Sequence, residues 1–126
     1  TGSRPDDIAE ALVGLMKAPA SCDNMSDVRV AIDALDRELV ALLARRLEYV
    51  GRAAEIKHTH DMPAFIPERV EEVIANVRRL AESNNADPEF FEALWRTLVG
   101  MSIAYEQKLM DQNRVQDDRT TSTGND

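Results

Sequence analysis

Residues 26 to 57 hold one unbroken helical pattern, and its length constrains the fold more than any other feature of the chain. From Ser26, a suitable N-cap, the apolar positions Val28, Ile32, Leu35, Leu39 and Leu42 recur in steps of three and four. A helix of roughly thirty residues measures ~45 Å, longer than a compact monomer of 126 residues usually holds. Part of it is expected to pack on a second chain. The same stripe continues through Arg46, Val50, Ala53 and Lys57. A face that normally buries apolar groups therefore carries two full charges.

The rest of the chain also reads as helical. PDDIAEALVGLMK, residues 5 to 17, is expected to form a short helix, with Pro5, Asp6 and Asp7 suited to its start. HTHDMPAF interrupts the long pattern. Pro67 then opens a second helix with Val70, Val73, Ile74, Val77 and Leu80 as its stripe, ending near SNNA. Asp87 is a strong N-cap with Pro88 at the first helical position. The third helix places Phe91, Leu94, Trp95, Leu98, Ser102, Glu106 and Leu109 along one side. RVQDDRTTSTGND has no periodicity and little apolar content, so a disordered tail is expected over residues 113–126. With few glycines, prolines and aromatics and an abundance of Ala, Leu, Val, Glu and Arg, the expectation is an all-α protein. It has an extension over residues 1–25 and one helical domain over residues 26–112.

A formal charge of -8 argues against nucleic acid or an anionic membrane as a partner, because the overall field repels polyanions. A small anion is still acceptable where cations gather locally. The single cysteine, Cys22, cannot close an internal disulfide, which suits a reducing cytoplasm. No apolar run approaches membrane-spanning length, and TGSRPDDIAEAL does not read as a secretory leader.

Taken singly, Arg46 and Lys57 are readily explained by snorkelling, in which long basic stems cover apolar surface and the charges reach water. Together they point the same way and stand ~16 Å apart along the axis, so both side chains can close on opposite ends of a small dianion. Arg29 lies ~25 Å from Arg46 along a straight helix and cannot share such a ligand from its own chain. In a two-fold dimer with antiparallel long helices, Arg29 of one subunit meets Arg46 and Lys57 of the other. An exposed arginine at a helix start equally needs no ligand.

Arg69 opens the second helix, and Ser102 and Glu106 sit four apart on the third. Each has a bland alternative as a surface or helix-contact residue. His58, His60 and Asp61 form only a weak metal pattern in a connecting segment. No Gly-rich phosphate loop, paired cysteines or Ser/His nucleophile is present, and neither metal nor cofactor is expected.

DVRVAIDALDRELVALLARRLEYVGRAAEIK resembles the first helix of the all-helical chorismate mutase family, which also contains isochorismate pyruvate lyases. The likeness rests on Arg29 before IDALD, on Arg46 in LLARR, and on Lys57 eleven residues later. It implies an intertwined homodimer of three-helix subunits, with Arg29 reaching the partner's site. Arg69 matches a site arginine of the family. Ser102 and Glu106 match its S-x-x-x-Q pattern, with Glu in place of Gln. The implied activity is rearrangement of chorismate to prephenate, a concerted shift that requires no nucleophile. Catalysis then consists of holding a dianion in its reactive shape and stabilising charge on the breaking ether oxygen. Arginines clamp the carboxylates, and Lys57 serves the ether oxygen.

Two positions depart from the mutase pattern. Where chorismate mutases commonly carry a Glu after the second-helix arginine and an Asp three residues before it, this chain has Val70 and Ile66. That shift favours isochorismate pyruvate lyase as the alternative activity, with a non-catalytic helical dimer as a third reading. Glu106 must be protonated to donate a hydrogen bond to an oxyanion. Gln107 ranks second as the donor, turned about 100° around the helix.

Overall fold

The computed structural model describes residues 16–123. The short helix expected over residues 5–17 falls outside them up to position 15, and Met16 and Lys17 are not helical. Among the described residues every regular element is helical. A single 3-10 turn, Pro19–Ser21, precedes α1 (Met25–Thr59), α2 (Pro67–Ser83) and α3 (Pro88–Thr123). The all-α, three-helix expectation holds, and α1 at 35 residues is as long as its stripe requires. The chain divides into two compact units, residues 1–47 and 48–126, with the border inside α1.

In the first unit, α1 is capped by Asn24 rather than by the expected Ser26. Asp27 N–H donates to Asn24 Oδ1 at 2.9 Å. The Asp27 carboxylate in turn accepts from Asp23 N–H at 3.1 Å and Lys17 Nζ at 3.0 Å. Asparagine caps as well as serine, and the acidic residue inside the first turn selects the earlier start by satisfying another main-chain donor. The Asp23 N–H and the Lys17 ammonium hold the Asp27 carboxyl below its ordinary range. Among the described residues of this unit Ala34 is the buried apolar one, whereas Ile32, Leu35, Leu39 and Leu42 remain about half exposed. Together these four form an exposed apolar row along α1.

The second unit contains the end of α1, the connection through residue 66, and α2 packed on α3. Pro67 and Pro88 stand at the first helical positions, and Asp87 Oδ1 accepts from Glu89 N–H at 3.0 Å, as expected of an N-cap. Both intervening turns use a left-handed residue, Asp61 (φ 53°) and Asn85 (φ 57°). Asp and Asn tolerate this conformation better than other residues with a Cβ. Ile74, Val77, Ala81 and Val99 form the core with Ala54 and Ala64. Leu80 is corrected from the expected stripe: it is 60% exposed, and Ala81, four residues after Val77, faces inward instead.

Over residues 113–123 the tail expectation is also corrected. α3 continues to Thr123, well past the apolar pattern. Polar contacts sustain it there: Gln107 Nε2 donates to Asp111 at 2.9 Å, Arg114 to the same carboxylate at 2.6 Å, and Thr120 Oγ1 to the Gln116 carbonyl at 3.0 Å. A periodicity search sees only apolar recurrence, so it stops where these begin.

Charges tie α2 to α3. Arg96 donates twice to Glu71, at 3.1 and 3.2 Å, and once to Glu92 at 2.8 Å; Arg78 bridges Glu89 and Glu92, both at 2.8 Å. Hydrogen bonds from Arg96 hold the Glu71 and Glu92 carboxyls below their ordinary range. Carboxyls lowered on folding contribute stability that is present above their unfolded values and lost as pH falls through their folded values. Arg96→Met should therefore flatten the fall in urea midpoint between about pH 5 and pH 3. An unchanged acid slope would show that this network does not set acid stability.

Candidate active site

Lys57 lies in the last turn of α1, where Ala54, one turn earlier, is fully buried. Small residues on this face let α3 come close. A methyl placed at Gly51 would touch Leu109 Cδ1 at 3.9 Å. Across that approach Lys57 Nζ donates to Glu106 Oε2 at 2.6 Å, and a second N–H reaches the carbonyl of buried Ala64 at 2.9 Å. Side-chain exposures of 17% for Lys57 and 9% for Glu106 make this a largely desolvated ion pair. An ammonium has three donors, and these two bonds aim it at α3 and the connection together.

Glu106, not Gln107, faces Lys57; Gln107 turns away to Asp111. Ser102, one turn before Glu106 and partly buried, donates its hydroxyl to the Leu98 carbonyl at 2.8 Å. Arg69 is exposed at the start of α2 and ion-paired with Glu72. Arg29 and Arg46 belong to the first unit, the former exposed and the latter half-buried on α1. Lys57 and Glu106 are thus in direct contact, with Ser102 on the same helix as Glu106.

The weak metal pattern has other partners: His58 Nε2 meets Asp117 Oδ2 at 2.6 Å, and His60 Nδ1 meets the Ile56 carbonyl at 2.9 Å. Two features of the site had no signal in the sequence. The Ala64 carbonyl is a main-chain group, identical in every residue type, and Asp117 lies in a stretch without periodicity. A cleft of about 480 Å³ opens beside Lys57, with His58, Met62, Gln107, Met110 and Arg114 on its walls.

A part-buried lysine paired with a buried carboxylate, on an all-helical frame with further arginines, is suited to holding an anion and stabilising developing negative charge. The family model for chorismate mutase type II matches residues 28–107, and the chain belongs to that family. It is 37% identical over 100 residues to an isochorismate pyruvate lyase of Pseudomonas aeruginosa, covering 79% of this chain and 97% of that protein. It is 32% identical over 89 residues to a 4-amino-4-deoxychorismate mutase of Streptomyces pristinaespiralis, 71% of this chain and 69% of the relative. A T-protein of Haemophilus influenzae is 39% identical over 85 residues, 67% of this chain but only 22% of the longer protein. Among the described residues no helix is long and apolar enough to cross a membrane.

Proposed function

We propose that the chain binds a chorismate-type dianion and catalyses its pericyclic chemistry without a covalent intermediate. The observation that carries this reading is the Lys57 ammonium held against Glu106 in a desolvated contact. An arriving ether oxygen takes the ammonium in part from Glu106, and the charge it gains as its bond breaks is met by a cation already in place. Arg46 and Arg69 clamp the carboxylates with Arg29 of a second chain, Ser102 assists in binding, and Glu106 in its protonated form donates to the same oxygen.

Two reactions suit these groups. Chorismate rearranges to prephenate with no atom gained or lost. Isochorismate gives salicylate and pyruvate: the ether C–O bond breaks while a ring hydrogen moves to the enolpyruvyl CH2, which becomes the methyl of pyruvate. Ile66 and Val70 favour isochorismate, because neither can accept a hydrogen bond from the ring hydroxyl that an Asp or Glu there would hold. The likeness along nearly the whole length of an isochorismate pyruvate lyase supports the same preference. We therefore assign lyase activity as dominant, with mutase activity on the same cations. Incubation with each substrate, following prephenate, salicylate and pyruvate, tests this. Prephenate alone would reverse the preference, and no turnover of either would leave a non-catalytic dimer.

If Glu106 donates to the ether oxygen, mutase activity should rise as pH falls. Glu106→Gln should flatten that profile. The same slope in the variant would remove Glu106 from the mechanism.

The second chain enters through α1. Half-exposed Ile32, Leu35, Leu39 and Leu42 each offer about 1 kcal/mol on covering, and an antiparallel copy of α1 matches the row with itself. A homodimer by sedimentation is the expected state. The lone Cys22, unpaired by any disulfide, supports a cytoplasmic setting.

A further inference from the structure

The end of α1 is built around the residue that the proposed chemistry needs. Met62 N–H donates to the Lys57 carbonyl at 2.8 Å and Asp61 N–H to the His58 carbonyl at 3.4 Å, the paired bonds of a helix stop that turns through a left-handed residue. Glycine usually fills that position. Here it is Asp61, at φ 53°, which adopts the conformation less readily than glycine does.

A second tether acts on the same turn. His58 Nε2 lies 2.6 Å from Asp117 Oδ2. A carboxylate oxygen cannot donate to a ring nitrogen, so Nε2 carries the hydrogen. Asp117 is available only because α3 continues past residue 112. Asp111, the carboxylate of α3 that lines the cleft, is taken up by Gln107 and Arg114. The extension, apolar in almost no position, thus makes a long-range contact with the residue next to Lys57.

We propose that His58 and Asp117 are positioning residues: the last turns of α3 form a strap that holds the C-terminal cap of α1, and through it the main chain of Lys57. Its kinetic consequence rests on the role given to Lys57 above. The strap acts on the ammonium rather than on the arginine clamps, so loosening it weakens transition-state stabilisation more than binding.

The test uses the full chain with Asp117→Ala, His58→Ala and Asp117→Glu, read by amide exchange in NMR and by steady-state kinetics. In both alanine variants the Met62 amide should exchange about threefold faster, as suits a partly exposed contact, while the Val77 and Ala81 amides keep their rates. For whichever substrate turns over, kcat should fall about threefold with KM unchanged. Asp117→Glu should restore both. An unchanged Met62 rate in both alanine variants overturns the strap, and so does faster exchange with kcat unaffected. Absence of turnover on either substrate would count against the proposed function alone, and the Met62 rate would still decide whether the strap exists.

Discussion

Lys57→Ala is expected to lower kcat about a thousandfold with little change in KM. In the proposed reaction the ammonium meets charge that develops on the ether oxygen only as the bond breaks, and loss of one such preorganised donor costs about 10² to 10³ in rate. Ground-state affinity should survive, because the arginines assigned to the carboxylates are unaltered. A second effect accompanies the first. Glu106, 9% exposed in its side chain, is left buried without its cation, and breaking such a pair destabilises by about 3 kcal/mol, less where the carboxyl can protonate. The double variant Lys57→Ala/Glu106→Gln should regain much of that stability and none of the rate. Lys57→Arg should not rescue, because a planar fork cannot occupy the place of a point charge between Glu106 and Ala64. A loss under tenfold in Lys57→Ala would remove this residue from the reaction.

Two inactive variants should restore activity when combined. If Arg29 serves the site of its partner, a heterodimer of Arg29→Ala and Lys57→Ala chains has one site lacking both cations and one with neither altered. In the proposed two-fold dimer every pairing is equivalent, so co-refolding equal amounts should give half heterodimers and leave about a quarter of all sites intact. If Arg29 serves its own chain, every site lacks one cation and the mixture stays inactive. Leu39→Glu, on the 53% exposed α1 row, provides the companion measurement: it should dissociate the dimer and abolish this recovery.

The α1 length, the starts at Pro67 and Pro88 and the Asp87 cap were all legible in the sequence, because each rests on local chemistry: apolar spacing, a fixed proline φ, a side-chain oxygen over a helix end. Lys57 and Glu106 could be singled out because charges on an otherwise apolar stripe stand out. Other features depended on contacts distant in sequence or on unusual main-chain angles. Leu80 has the right spacing, yet the close approach of α2 and α3 puts Ala81 inside. The extension of α3 is stabilised by Asp111 and Asp117, residues that in composition resemble a solvated tail. The left-handed turns at Asp61 and Asn85 lack the glycine that would have announced them.

The Ala64 carbonyl has a consequence for how this protein can vary. It is a fixed stop at the far end of the segment joining α1 to α2, and the reach of one lysine side chain must match it. That segment therefore works as a gauge. Substitutions along its exposed stretch leave the measurement intact, whereas adding or removing one residue resets it and misplaces the ammonium. The turn around Asn85 bonds to the end of α2 rather than to Lys57 and can change length more freely. Drift in length should be confined to that turn, and libraries aimed at new substrates are best varied in composition at the first segment and in length only at the second.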